Sequence, residues 1–517
     1  LLDSPYARQF LLRRSVGVCE FSVTPDGVNT LSSVSEQNRQ PDVLVASNRG
    51  PLSFSVRDDG ELIPDRGAGG LVSGLSAVAR DGETLWVCAA LTDADRRAVQ
   101  HAPRGRLDEH GHDTDGIAVR MLSVDTQTFK RAYNGIANST LWFIHHHLYD
   151  TPNKPHFDGR WRRDWESYRS YDEAFASALA EEAAPDATAI VQDYHLTLTP
   201  RMLRDKRPDL RIGHFSHTPW AAVDCFRLLP DEVAREVLLG VLGADHAGFL
   251  APRWARAFMN CCAEILGASV DLEAMTVEVD GHVTQVGVHA LGIDAEYLRE
   301  RAAQADVEAR RSALVEMAGD RKVLLRIDRT ELSKNIVRGL AAYREMLRTH
   351  PEWKGRVIHL AFAYPSRHDL PEYREYTAAV QRIAAEIEDE FGTDDWTPLH
   401  LAVNDDFPRS LAAYRIADVL IVNPIRDGMN LVAKEGPVLS ERGVALVLSR
   451  EAGAAADLAD DALLINPFDV TATAEAMHTA LSMSDGERTR RSRGLSTAST
   501  ALPPSRWFAD QLNALRA

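Results

Sequence analysis

Apolar residues run through this chain in two alternating rhythms. Short, almost wholly apolar blocks read as strands buried on both faces: DVLVASN at 42–48, TAIVQD ending at Asp193, RIGHFSH ending at His217, and HAGFL. Between and around them, RDWESYRSYDEAFASALAEEA, TPRMLRDKRP, DEVAREVLLGVLG and WARAFMNCCAEIL carry apolar positions at helical spacing. The strand-like segment AMTVEVDGHVTQVGVHALGID closes this run near residue 294. A second run then begins. Its strands are KVLLRID, RVIHLAFAYP, TPLHLAV, DVLIVNP, VALVLS and ALLINP, with helices such as NIVRGLAAYREMLRTH and DLPEYREYTAAVQRIAAEIEDEF between them. Strands alternating with helices call for parallel sheets with crossover connections. Two such runs predict an α/β chain of two doubly wound, Rossmann-like domains facing a central cleft.

The expected layout is an extension over 1–40, a first domain over 41–294, a second over 295–490, and a helical segment over 491–517. The pattern SRWFADQLNALR in that last segment can fold back across either domain. A glycine-rich stretch, DRGAGGLVSG at 65–74, precedes a helical pattern, and 90–135 is polar without a clear period.

Composition narrows the class. A length of 517 residues exceeds one ordinary core. Hydrophobic and charged fractions of 45% and 26% are those of a soluble globular protein. A formal net charge of −17 argues against nucleic acid as a partner and leaves room for a local basic pocket. No apolar run is long enough to span a bilayer, and the first residues lack a signal-peptide layout. The five cysteines, Cys19, Cys88, Cys225, Cys261 and Cys262, are not at zinc spacing and read as reduced thiols of a cytoplasmic protein.

Ligands of doubly wound sheets sit beyond the carboxyl ends of the strands. Asn48, Arg49, Asp193, His217, Arg329, Arg367, Arg426 and Asp427 all fall at such ends. In DRTELSKN, Arg329 and Lys334 can neutralise a diphosphate leaving group with fixed cations, Arg as a bidentate fork and Lys as a point charge. In RDGMNLVAKE, Gly428 permits close backbone approach, and a helix opening near Asn430 points N–H groups at an anion. Asp427 and Glu435 there suit hydroxyls, of a sugar at one end and a ribose at the other. Either acid also reads as an ordinary helix cap or solvated face. Gly67, Gly69 and Gly70 can form an amide-lined loop, yet the dinucleotide fingerprint is absent. The triplet His145, His146 and His147 cannot converge on one ion, because adjacent side chains diverge, and reads as structural or solvated. No metal site and no cofactor is expected.

The motifs SNRG, GAGGLVSG, YNGIANSTLW, QDYHLTLTPRMLR, RIGHFSHTPW, DRTELSKN, AYPSRHD, DWTPLHL, RDGMNLVAKE and LINPFD, in this order from about 42 to about 484, resemble those of trehalose-6-phosphate synthases. That family comprises retaining glycosyltransferases of GT-B fold. The resemblance implies that Arg329 and Lys334 bind diphosphate, Asp427 holds donor-glucose hydroxyls and Glu435 the ribose. It implies that Gly70, Gly428, Met429, Asn430, Leu431 and Val432 meet phosphates and sugar, and that His217 stands beside the donor sugar. Arg49, Tyr133, Trp142 and Arg367 would form a glucose 6-phosphate pocket, and Asp193 would hold the acceptor sugar. The implied partners are small molecules, a nucleotide-diphosphate glucose and glucose 6-phosphate, with room for a homo-oligomer. Transfer would retain anomeric configuration by front-face attack without a metal.

Three features depart from the family pattern or stay open. The family usually has Asp-Tyr and Gly where this chain has Glu331, Leu332 and Asn335, and a Trp near the place of Ala89. Asn404, Asp405 and Asp406, beyond TPLHLAV, form an acceptor-rich set that favours guanine over uracil, although an Asp beside Pro408 also suits a helix start. Two other functions remain: a pseudo-glycosyltransferase joining a cyclitol donor to an aminocyclitol phosphate, and a catalytically silent sugar-phosphate regulator.

Overall fold

The structure, a computed structural model, describes residues 40–66, 84–367 and 369–516. Gly67, Gly69, Gly70 and the helical pattern after them lie outside the described residues, as does most of the expected extension.

The first run of strands is β1 (Val43–Ser47), β2 (Leu52–Val56), β3 (Leu62–Arg66), β4 (Thr84–Ala89), β5 (Ala118–Leu122), β6 (Thr188–Gln192), β7 (Arg211–Ser216), β8 (His246–Phe249), β9 (Ser269–Asp271), β10 (Thr276–Val279) and β11 (His282–Val288). Among the described residues, nine of them form one sheet in the order β5-β4-β1-β6-β7-β8-β11-β10-β9, while β2 and β3 make a separate hairpin. Pairing is parallel from β5 to β11, and β10 and β9 add an antiparallel edge. The second run is β12 (Lys322–Arg329), β13 (Val357–Tyr364), β14 (Leu399–Ala402), β15 (Val419–Val422), β16 (Ala445–Ser449) and β17 (Leu463–Ile465). These form an all-parallel sheet in the order β14-β13-β12-β15-β16-β17. Strands with helices on both faces bury every residue, which explains why β1, β6, β15 and β16 are apolar almost throughout.

Strand order reverses between β1 and β6 in the first sheet and between β12 and β15 in the second. The crevices at those reversals are where such sheets hold ligands. Asn48 and Arg49 follow β1, Asp193 follows β6, Arg329 ends β12, and Asp427 follows β15.

The stretch 90–135, without a period in the sequence, contains helix Asp93–Gln100, β5 and helix Thr126–Lys130. It runs on into a π-helix, Arg131–Leu141, and then helix Trp142–His146. A wider helical turn displaces side chains from the usual spacing, so a search at helical period fails there. The chain leaves the second sheet through helix Asp485–Thr500 and ends in helix Pro504–Arg516, which returns to the first sheet. There Arg211 Nη1 donates to Leu515 O (3.0 Å), Leu515 packs on Gly213, and Trp507 meets Phe215 edge to face at 4.9 Å.

Candidate active site

Side chains from both sheets meet around a cavity of about 170 Å3. Trp142, His146, Asp193, His217 and Thr218 line it from the first half, and Arg329, Ser333, Lys334, Asp427 and Gly428 from the second. Seven of the residues singled out from the sequence therefore converge: Arg329, Lys334, Asp427, Gly428, His217, Asp193 and Trp142.

Lys334 and Asp427 are an ion pair across the strand reversal, Nζ to Oδ2 at 2.6 Å, and Asn430 Nδ2 donates to the same oxygen at 3.1 Å. Burial pushes the Asp427 carboxyl up, but Lys334, with His146 and Asn430, more than offsets this, so the group sits below the usual carboxylate range. Burial likewise pulls Lys334 down, and Asp427 and Asp328 reverse it. Both groups are charged before any ligand arrives. Arg329 is half exposed and pairs with the fully buried Glu331, Nη1 to Oε1 at 2.9 Å.

Gly428 occupies the place where the halves touch. The close approach it permits is to the backbone of His217, whose carbonyl oxygen lies 1.8 Å from an added β-carbon, in addition to any approach by a ligand. Trp254 Nε1 fixes the loop by donating to Gly428 O at 2.9 Å. Arg426, grouped with Asp427 at the strand end, does not reach the cavity. It is buried over the Trp254 ring at 4.5 Å and donates to Trp220 O at 2.7 Å. Burial lowers it to about 10, and its role is to tie the halves together.

The helix expected near Asn430 starts at Val432 and runs to Leu439. Asn430 itself has a left-handed backbone, φ 76°, and its Oδ1 accepts Ala433 N–H at 3.3 Å. The N–H groups of Leu431 and Val432 precede the first intrahelical bond and point outward from the helix start. The Met429 side chain belongs to the hydrophobic core, so only its backbone is available to a ligand. Glu435 stands in the first turn, where Tyr414 OH donates to it at 2.9 Å and burial raises its carboxyl.

Asp193 combines strain with burial. Its φ of 71° and ψ of 174° are in a region that side-chain-bearing residues avoid, at a cost of order 1–3 kcal/mol. That backbone lets its carboxylate accept His217 N–H at 3.1 Å and lie against the amides of Tyr194 and Thr218. Burial outweighs those bonds and raises the carboxyl to about 6. His217 Nε2 pairs with Gln192 Oε1 at 2.8 Å, and burial lowers the imidazole to about 3, so it is neutral.

Arg367 is held from three sides. Its Nη1 donates to Tyr373 OH (2.6 Å), its Nη2 to Tyr194 OH (3.1 Å), and its guanidinium lies 4.2 Å over the Trp142 ring. Tyr194 OH is anchored in turn to Asn138 Oδ1 at 2.8 Å. Tyr133 stacks on His195 at 5.6 Å, and His195 feels the charges of both Arg367 and Arg49. Arg49 is exposed, and neither it nor Tyr133 lines the cavity itself.

Two expectations are corrected. The acceptor-rich set near residue 405 is largely committed elsewhere. Asp406 caps helix Phe407–Ile416 by accepting Arg409 N–H at 3.0 Å and pairs with Arg310 Nε at 3.0 Å. Asn404 Oδ1 accepts from Arg409 Nη2 at 3.0 Å, which leaves only Asp405 with an exposed, uncommitted carboxylate in that set. Second, His146 is neither merely structural nor solvated: it lines the cavity, stacked on Trp142 at 3.8 Å, and burial lowers it to about 3. Its neighbours do diverge, since His145 Nδ1 accepts Ala221 N–H at 3.2 Å and His147 takes a left-handed backbone on the surface. Away from the cavity, His350, Glu352 and His478 bring ligand atoms within 4.8 Å of one another. No local spacing announces this group. Its imidazoles stack at 3.7 Å and 9°, and Trp353 Nε1 donates to His478 Nδ1 at 3.1 Å.

Sequence reasoning gives His146 no ligand role and Glu331 only as a departure, and it does not single out Thr218 and Ser333 in the lining or Tyr194 and Tyr373 behind it. Tyr194 and Thr218 stand inside the quoted motifs QDYHL and SHTPW, beside residues that were chosen. The two sites of departure find a physical account. Asn335 sits at φ 57°, ψ 36°, a conformation that Asn tolerates next best after Gly. Its Nδ2 bonds Asn423 O (3.1 Å) and Pro467 O (2.8 Å), contacts a glycine cannot make. Ala89 is buried at the end of β4, with its N–H on Asn48 O at 3.2 Å.

Residues 41–517 match the family model of glycosyltransferase family 20. The bifunctional trehalose-6-phosphate synthase/phosphatase of Thermoproteus tenax is 34% identical over 488 residues, 92% of this chain and 63% of that protein. This chain thus spans less than two thirds of that relative. The UDP-forming alpha,alpha-trehalose-phosphate synthase of Schizosaccharomyces pombe is 34% identical over 473 residues, 90% of this chain and 88% of its own. A UDP-forming alpha,alpha-trehalose-phosphate synthase from Burkholderia xenovorans, solved in complex with glucose-6-phosphate, superposes with a TM-score of 0.78 at 25% identity, covering 92% of this chain and all of its own. With two doubly wound sheets enclosing one cleft and a family match along nearly the whole described chain, the protein belongs to glycosyltransferase family 20 and is a glycosyltransferase of GT-B fold.

Proposed function

We propose that the protein makes α,α-trehalose 6-phosphate by moving glucose from a nucleotide-diphosphate glucose to glucose 6-phosphate with retention of configuration. The observation that carries this reading is the cavity itself. Two cations and a sugar-binding acid from the second sheet face a carboxylate, a neutral imidazole and an indole from the first.

In this reading the second half, from about residue 295, is the donor domain. Arg329 and Lys334 take the diphosphate, and the amides of Leu431 and Val432 add the helix N-terminus to the same charge. Asp427 and Glu435 accept from hydroxyls, of the glucose and the ribose. The first half, up to about residue 294, is the acceptor domain. Asp193 and His217 orient the sugar, and Arg367 with Arg49 and Tyr133 receives its phosphate. Indole Trp142 Nε1 and Thr218 Oγ1 are buried without a protein partner among the described residues, which supports their bonding a ligand.

The bond between glucose C1 and the diphosphate oxygen breaks, and its electron pair leaves with the diphosphate. The acceptor's anomeric oxygen bonds C1 from the same face and gives its proton to the departing phosphate oxygen. Such a step depends on positioning and on stabilising the leaving charge, which fixed cations supply. No metal is required for it, and activity should persist in chelator. Within the 404–406 set, among the described residues, Asp406 and Asn404 are committed to Arg409 and Arg310, and relatives are named UDP-forming. We therefore take UDP-glucose as the donor in place of GDP-glucose.

The test is product analysis with purified protein, UDP-glucose or GDP-glucose, and glucose 6-phosphate or an aminocyclitol 7-phosphate. Trehalose 6-phosphate from UDP-glucose with the higher kcat/KM supports the reading. A GDP-glucose preference would overturn the base assignment alone, and turnover only with the aminocyclitol would overturn the acceptor.

A further inference from the structure

Glu331 is a buried charge behind this site with no assigned task. It follows Arg329, the last residue of β12, and its side chain is wholly enclosed. Its Oε1 pairs with Arg329 Nη1 at 2.9 Å and accepts from Ser366 Oγ at 2.9 Å. Its Oε2 has no hydrogen-bond partner among the described residues. Ser366 directly precedes Arg367, which has a left-handed backbone, φ 45°. One enclosed carboxylate thus grips the arginine on one side of the cavity and the loop that presents the arginine on the other. Burial pushes this carboxyl up, yet Arg329, Arg367 and Lys334 together bring it down to about 2, so it stays ionised. Enclosing a charge is costly unless partners hold it.

We propose that Glu331 is a positioning residue that couples the two anion sites, fixing Arg329 for the donor diphosphate and, through Ser366, the Arg367 loop for the acceptor phosphate. This rests on the reading that Arg329 meets diphosphate and Arg367 the phosphate of glucose 6-phosphate. The half-exposed Arg329 side chain has many rotamers, and Glu331 selects one. A diphosphate on Arg329 fixes that ion pair further, and the restraint passes through Glu331 and Ser366 to Arg367. By linkage, glucose 6-phosphate returns the same factor to the nucleotide.

The sign of the charge effect separates positioning from background electrostatics. Glu331→Gln removes a negative charge beside two anion sites. If Glu331 were only background charge, both anions would bind more tightly. If it positions, both bind more weakly and lose their coupling.

The experiment measures by calorimetry the Kd of UDP, and the Kd of glucose 6-phosphate with and without saturating UDP, in the unmodified protein, Glu331→Gln, Glu331→Asp and Ser366→Ala. We expect UDP to tighten glucose 6-phosphate at least about fivefold in the unmodified protein, the lower end of ordinary coupling. We expect the factor to fall to within about twofold of unity in Glu331→Gln and Ser366→Ala, and to be retained in Glu331→Asp. Ser366→Ala removes a single hydroxyl, so it carries the test if Glu331→Gln does not fold. No coupling in the unmodified protein, unchanged coupling in both variants, or tighter binding of both anions to Glu331→Gln would overturn the inference. Arg329→Ala and Arg367→Ala test the underlying reading separately: weakening of UDP by the first and of glucose 6-phosphate by the second upholds it. If neither splits in this way, the site assignment fails first.

Discussion

The carbonyl oxygen of His217, just past β7 of the first sheet, lies 1.8 Å from the point where a β-carbon on Gly428, in the loop after β15 of the second, would stand. Both atoms belong to backbone, so neither can rotate away. Gly428→Ala must therefore separate the halves at the floor of the cavity or shift the 427–430 loop that carries Asp427. The expected result is a loss of about 1–3 kcal/mol in stability, as for other overpacked sites, with a larger fall in kcat than the melting shift alone accounts for. Thermal unfolding and steady-state kinetics on the same preparation check it.

Arg367 should matter to one substrate. Its two charged hydrogen bonds and its place over Trp142 orient the guanidinium for phosphate. Loss of a charged hydrogen bond is worth about 1.5–3 kcal/mol, so Arg367→Ala should raise the KM of glucose 6-phosphate by about 10- to 150-fold and leave the donor KM within a few fold. Arg367→Lys should not restore it, because a point charge cannot hold both tyrosines and the ring. An equal rise in both KM values would remove Arg367 from the acceptor side.

Lys334 is expected to have two separable roles. Lys334→Ala strands the Asp427 carboxylate in a buried place, a change that costs about 3–5 kcal/mol in other buried pairs. Lys334→Met combined with Asp427→Asn removes both charges and should regain much of the melting temperature. Activity should stay lost, since a fixed cation and a sugar-binding acid are gone. Recovery of turnover in the double variant would show that the pair is structural.

Asp193 gives a pH signature. Its folded carboxyl is raised from 3.8 to about 6, so between those values the folded state binds the proton and the unfolded state does not. This group's contribution to stability is therefore most favourable below about pH 4 and declines as pH rises towards 6. Asp328, raised by burial to about 6 as well, contributes in the same direction and window. Asp193→Asn should remove only its own share, flattening part of the decline in melting temperature from pH 4 to 6.5. An unchanged slope would mean that the carboxyl is hydrated enough to titrate normally.

The legible part of this chain is the part governed by period. Parallel strands covered on both faces leave unbroken apolar runs, so β6, β12, β15 and β16 could be read directly, and their ends led to Asp193, Arg329 and Asp427. The π-helix holding Tyr133 obeys no common spacing and was not readable. Asp406 illustrates a second limit. An acid before Pro408 is equally a cap and a ligand in sequence, and only the Arg409 N–H and Arg310 contacts decide. Glu331 and Ser366 illustrate a third, because residues on adjacent strand ends meet only once β12 and β13 pair.

Helix Pro504–Arg516 packs under β7, with Trp507 5.4 Å from the His217 ring. The first sheet therefore cannot complete its hydrophobic underside until a segment synthesised after the entire second sheet has emerged. During translation, the surface beneath Phe215 and Gly213 waits open while the downstream strands are made. The two halves should then mature together at the end of synthesis, and a ribosome-bound chain stopped before residue 504 should bind a conformation-sensitive dye at the first half that the released chain excludes.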